Sequence, residues 1–152
     1  MKILIVDDLK VIQITVIRLL QKMGYDNIKQ AFFVKEAIHI LDDNDIDLII
    51  SDWHMMGESG LDLLKKAHSI DRTAGIPFIM LTADAERERI IEAAKEGIEG
   101  YLIKPVSFQK LFDIIKEIAR KYDLQMPIDP NNLNERNEID KLDKKEVDSA
   151  GN

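Results

Sequence analysis

Three carboxylates, a hydroxyl and an ammonium recur at equivalent places in this 152-residue sequence, each at the end of a short β-branched run. Asp7 and Asp8 follow one such run, Asp52 another, Thr82 closes a third, and Lys104-Pro105 follows a fourth. Taken singly, each has an ordinary reading as a helix cap, a turn residue or a solvated charge. Taken together they do not, because three carboxylates a few ångströms apart repel one another and oppose folding unless a cation joins them. A hard divalent ion, Mg2+ or Mn2+, suits such oxygen donors and keeps several waters of its own. Three carboxylates, one divalent ion and one ammonium sum to zero charge, so an incoming phosphoryl group is tolerated. Phosphoryl transfer is chiefly positioning and charge neutralisation, and a carboxylate can serve as its nucleophile. Asp52 is the most central candidate.

These residues meet only if the elements before them lie side by side. The runs from Lys2 to Val6, Asn27 to Ala31, Asp47 to Ser51, Pro77 to Thr82 and Gly100 to Ile103 predict five strands. Helical spacing fills the gaps, as in Val34, Ala37, Ile38, Leu41 and again in Phe108, Leu111, Ile115, Ile118, Tyr122. Gly24 and Gly97 stand where a helix needs a left-handed residue to stop, and Ser107 is placed to cap the last helix. Strict alternation of strand and helix predicts an α/β fold, a doubly wound parallel sheet with helices on both faces. The apolar character of the strands agrees with that. In such sheets ligands bind outside the carboxyl ends of the strands, where the charged residues stand.

Bulk properties exclude several classes. A net charge of -7, from 28 acidic and 21 basic residues, disfavours binding to nucleic acid phosphates or anionic membranes. No cysteine is present, which removes disulfides, thiolate metal sites and cysteine nucleophiles. No run approaches the ~18 apolar residues of a membrane span, and the apolar start is too short for a signal peptide, so a cytoplasmic protein is expected. The length fits one domain, assigned to residues 1–124. Residues 125–152, rich in Pro and Asn and then in Asp, Glu and Lys, are expected to form a polar tail.

The ordered set Asp7-Asp8, Asp52, Thr82-Ala83 and Lys104-Pro105 resembles the receiver domains of response regulators, closest to the chemotaxis-type single-domain receivers. The resemblance covers roughly residues 1–124 and implies a flavodoxin-like five-stranded sheet in the order 2-1-3-4-5, for which the chemotaxis receiver is itself a standard example. It further implies two-component signalling in which Asp52 accepts a phosphoryl group from the phosphohistidine of a sensor histidine kinase or phosphotransfer protein. Asp8, Asp52 and the backbone carbonyl of His54 would ligate Mg2+ (or Mn2+), and Asp7 would hold a metal-bound water. Thr82 and Lys104 would bind phosphoryl oxygens, and the Lys104-Pro105 bond is expected to be cis. Tyr101 matches the family's switch aromatic. The downstream protein target would read the face made by the fourth helix, fifth strand and fifth helix, near Ile90, Glu92, Lys95, Ile103 and Lys110. His54 and Asp84 occupy positions that tune dephosphorylation. The sequence departs from the family at Met56, where proline is usual. With no output domain following the last helix, the expected role is a phosphorylation-dependent protein-protein switch in chemotaxis or another phosphorelay.

Three other readings compete. Haloacid-dehalogenase-type Mg2+ phosphatases use similar groups, but their Asp-x-Asp after the first strand is replaced here by Asp7-Asp8-Leu9-Lys10, so the chain is not expected to be a turnover enzyme. A flavin or nucleotide binder needs phosphate donors in the first loop, where Asp7-Asp8 would repel the ligand. An interaction module with a vestigial site is the third.

Overall fold

The computed structural model describes residues 1–83 and 87–127, together with residues 141, 144, 145 and 148. Five strands, β1 (Ile3–Val6), β2 (Ile28–Ala31), β3 (Leu48–Asp52), β4 (Phe78–Thr82) and β5 (Gly100–Ile103), alternate with five helices. The helices are α1 (Lys10–Lys22), α2 (Val34–Asp43), α3 (Gly60–Ser69), α4 (Arg87–Lys95) and α5 (Phe108–Tyr122). All strand pairings are parallel, and the sheet order is β2-β1-β3-β4-β5.

Side chains of a strand point alternately to the two faces, and this alternation builds two cores. Ile3, Ile5, Leu48, Ile50, Ile79, Leu81 and Leu102 meet α1 and α5 on one face. Leu4, Val6, Ile49, Phe78 and Met80 meet α2, α3 and Ala93 of α4 on the other. The central strands β1, β3 and β4 are buried throughout, which explains their unbroken apolar sequences. β2 differs: Lys29 and Gln30 are exposed, because β2 is an edge strand with one open side.

Gly24 and Gly97 have φ of +88° and +89°, the left-handed geometry their positions after α1 and α4 require. Ser107 caps α5, its hydroxyl accepting the Lys110 N–H at 3.2 Å. Beyond α5, Leu124 and Met126 pack against the α1/α5 core, and a Cβ on Gly24 would come within 2.7 Å of Pro127. The first residues of the expected tail are therefore laid on the domain. Most of the remainder lies outside the described residues. Among the described residues no helix is long and apolar enough to cross a membrane.

Candidate phosphoacceptor and metal site

Strand register brings the acidic residues together. Val6 pairs with Ser51, so Asp7 and Asp52 leave adjacent strands at the same level, while Asp52 pairs with Leu81 and Thr82 with Ile103. Ligand atoms of Asp7, Asp8 and Asp52 all lie within 4.8 Å of one another. Lys104 reaches this cluster from beyond β5, its Nζ standing 3.1 Å from Asp7 Oδ2 and 3.1 Å from Asp52 Oδ1. The Lys104-Pro105 peptide is cis, and the Lys104 N–H donates to the Thr82 carbonyl at 2.7 Å.

Asp7 is nearly inaccessible at 1% exposure, and Asp52 at 5%. Burial pushes the Asp7 carboxyl above the usual aspartate range, and the charge of Asp52 pushes the same way. The Leu9 N–H, donating at 2.9 Å, and the Lys104 ammonium oppose both without cancelling them. Among the described residues, one ammonium thus meets a cluster of three carboxylates. An all-oxygen cluster with that charge imbalance fits a hard divalent cation.

Thr82 is fully buried at the end of β4. By strand alternation it shares a face with Tyr101 of the neighbouring strand, which is half-buried and packs on the core beneath α2 and α3. His54 is exposed, and its imidazole Nε2 is in hydrogen-bond contact with the Arg89 guanidinium of α4. The same guanidinium lies 6.0 Å from the centroid of the Trp53 ring, within cation-π range. Asp84 lies outside the described residues.

Sequence reasoning singled out neither Gln13 nor Gly60. Gln13 of α1 is 1% exposed and its amide donates to the carbonyls of Asp7 at 2.8 Å and Ala31 at 2.7 Å, bracing the turn that carries the acidic pair. A glutamine on the otherwise apolar stripe with Val16, Leu19 and Leu20 was its signal. Gly60 begins α3 with its N–H donating to the Trp53 carbonyl at 2.8 Å. A Cβ there would lie 2.1 Å from the Asp52 carbonyl oxygen.

Ser59 caps α3 just after this loop. Its hydroxyl accepts the Asp62 N–H at 3.2 Å, and the Asp62 carboxylate accepts the Ser59 N–H at 2.8 Å, which holds the Asp62 carboxyl below the usual range. Ser59→Ala is expected to lower stability by about 1 kcal/mol in urea unfolding, the usual cost of a lost N-cap. The Asp62 contribution is present above the ordinary aspartate pKa and fades as pH falls through its lowered value.

A parallel 2-1-3-4-5 sheet with an acidic cluster and a bridging lysine at its carboxyl edge defines a receiver domain. Residues 3–116 match the family described as the response regulator receiver domain, and the chain belongs to that family. It is 39% identical over 121 residues to chemotaxis protein CheY-3 of Vibrio cholerae, covering 80% of this chain and 93% of the relative. It is 38% identical to chemotaxis protein CheY of Pseudomonas aeruginosa, covering 80% and 98%. Among solved structures, a response regulator receiver domain protein from Clostridium thermocellum superposes with a TM-score of 0.73 at 33% identity, covering 82% of this chain and 98% of that one. The chain is thus a CheY-like receiver domain of two-component signalling, a family of signalling proteins.

Proposed function

We propose that Asp52 is the phosphoacceptor of this receiver. In this reading an Asp52 carboxylate oxygen attacks the phosphorus of a phosphohistidine on a sensor kinase or phosphotransfer protein, the P–N bond breaks, and the imidazole leaves with the electron pair. The observation that carries it is the placement of Lys104 3.1 Å from both Asp7 and Asp52. That ammonium stands where charge on the incoming phosphoryl oxygens is neutralised. Asp8, Asp52 and the His54 backbone carbonyl would hold Mg2+, with Asp7 holding one of its waters. When bound, the ion neutralises phosphoryl oxygens and offsets the carboxylate repulsion. Thr82 would donate its hydroxyl to the same group.

Exposed apolar side chains near the site, Leu9 at 54%, Phe33 at 50% and Met56 at 76%, favour a protein donor over a small molecule alone. Such a donor places the chain in the cytoplasm, without nucleic acid or membrane as partner. Output would pass through Thr82 to Tyr101 and the α4-β5-α5 face, where Ile91 and Ile103 are each 42% exposed. Residues 1–124 would act as the receiver, and the segment from 125 as an appendage to it. The chemistry is then the chain's own phosphorylation and dephosphorylation, with His54 and Asp84 affecting the latter.

Acetyl phosphate with Mg2+ is expected to produce a retarded band on a phosphate-affinity gel, and chelation with EDTA to remove it. No retardation with Mg2+ present would defeat the reading. Trp53, the single tryptophan of the chain and 6% exposed, is expected to change fluorescence saturably on adding Mg2+. A flat titration would argue against the metal site.

A further inference from the structure

Met56 replaces the proline usual in receivers, and its side chain, 76% exposed, contributes little packing. Its backbone does something a proline could not. The Met56 N–H donates to Asp8 Oδ2 at 3.0 Å, across 48 residues of sequence, whereas a prolyl nitrogen has no hydrogen to donate. The loop from Trp53 to Gly60 is closed at its base by the Gly60 N–H on the Trp53 carbonyl, 2.8 Å. Near its tip the Met56 bond pins it to the turn after β1. At Gly57 the chain turns through φ of +82°, with open space around the position a Cβ would take.

We propose that the Met56 N–H is a positioning group for the metal site: it fixes the Asp8 carboxylate through one oxygen, leaves the other for the cation, and supplies by hydrogen bonding the loop restraint that proline supplies by ring closure. The inference rests on the metal reading above and concerns only what orients one of its carboxylates. Hydrogen bonds to ligating carboxylates are worth about tenfold or more in metal affinity. They also cost the free protein nothing when they are already formed before the ion arrives.

The test is a Mg2+ titration followed by Trp53 fluorescence, reading the midpoint and not the amplitude, on wild type, Met56→Ala and Met56→Pro. Met56→Ala keeps the N–H and is expected to titrate as wild type. Met56→Pro is expected to need about tenfold more Mg2+, with its metal-free melting temperature unchanged. Equal midpoints for the alanine and proline variants, or a shift in alanine as large as in proline, overturn the inference while leaving the metal site standing. An unresponsive wild type is a different failure, that of the metal reading itself. Hydrogen exchange in the absence of metal decides the matter if the proline variant does not fold. The Met56 amide is expected to exchange more slowly in wild type than in Asp8→Ala, and equal rates overturn the hydrogen bond on which everything here depends.

Discussion

Asp52→Asn is expected to take up no phosphoryl group from acetyl phosphate while folding more tightly than wild type when metal is absent. The loss of labelling is complete because an amide offers no anionic oxygen to phosphorus. The gain in stability follows from the surroundings. Asp52 is 5% exposed, beside Asp7 at 1%, with Asp8 in the same cluster and one ammonium between them. Burial raises the Asp7 pKa, and the Asp52 charge adds to the rise. The folded state therefore binds the Asp7 proton more tightly than the unfolded state does. Stability from this source is full below the unfolded pKa and is lost as pH rises through the raised folded value. Asp52→Asn removes the part of the rise that comes from Asp52, so less is lost. At neutral pH without metal, the variant is expected to gain on the order of 1 kcal/mol in urea unfolding, the low end of what relieving buried charge returns. Mg2+ should then stabilise wild type more than the variant. A variant less stable than wild type at neutral pH and no different at pH 3 would show that the Lys104 pairing outweighs the carboxylate repulsion.

Gly60→Val is expected to damage fold and site together. The strain arises from close approach, since even the Cβ would sit 2.1 Å from the Asp52 carbonyl oxygen and 2.9 Å from the Met80 sulfur. The sulfur belongs to a flexible side chain and can move. The carbonyl belongs to Asp52, the proposed acceptor, so either β3 shifts at its end or α3 lifts away and breaks the Gly60 bond to Trp53. Overpacking of this kind costs about 1–3 kcal/mol, and because the displaced atom belongs to Asp52 itself, the rate of phosphorylation should fall further than stability alone explains. Urea unfolding and phosphate-affinity gels on the same preparation separate the two effects. Gly60→Ala gives a milder version of both. Unchanged labelling in a destabilised variant would place the strain in the helix and not at the acceptor.

The residues that form this site were legible because strand alternation and strand ends are written in local sequence. β-branched runs place Asp7, Asp52, Thr82 and Lys104 at one sheet edge, and the observed register brings them level. The β2 edge was less legible: Ile28-Lys29-Gln30-Ala31 carries polar residues that only its position in the sheet explains. Least legible were bonds between segments distant in sequence. The Met56 N–H on Asp8 and the Gln13 amide on the Asp7 and Ala31 carbonyls depend on tertiary placement, and a backbone donor leaves no trace in residue type. The pairing of His54 with Arg89 joins the loop after β3 to α4, with no spacing relation between the two residues. The steric demand at Gly60 hides in a residue that could equally have been an ordinary helix start.

Asp52 and Trp53 are neighbours in sequence but belong to opposite layers of the molecule. The carboxylate faces Lys104 and Asp7, while the indole packs with the core under α2 and α3 and lies against Arg89 of α4. Under the proposed function the indole would accordingly serve as an internal gauge of transmission through the sheet. In a stopped-flow experiment it separates arrival of the ion or phosphoryl group from the later rearrangement of the helical layer, and a second, slower phase in its trace would time the passage of the signal from chemistry to output.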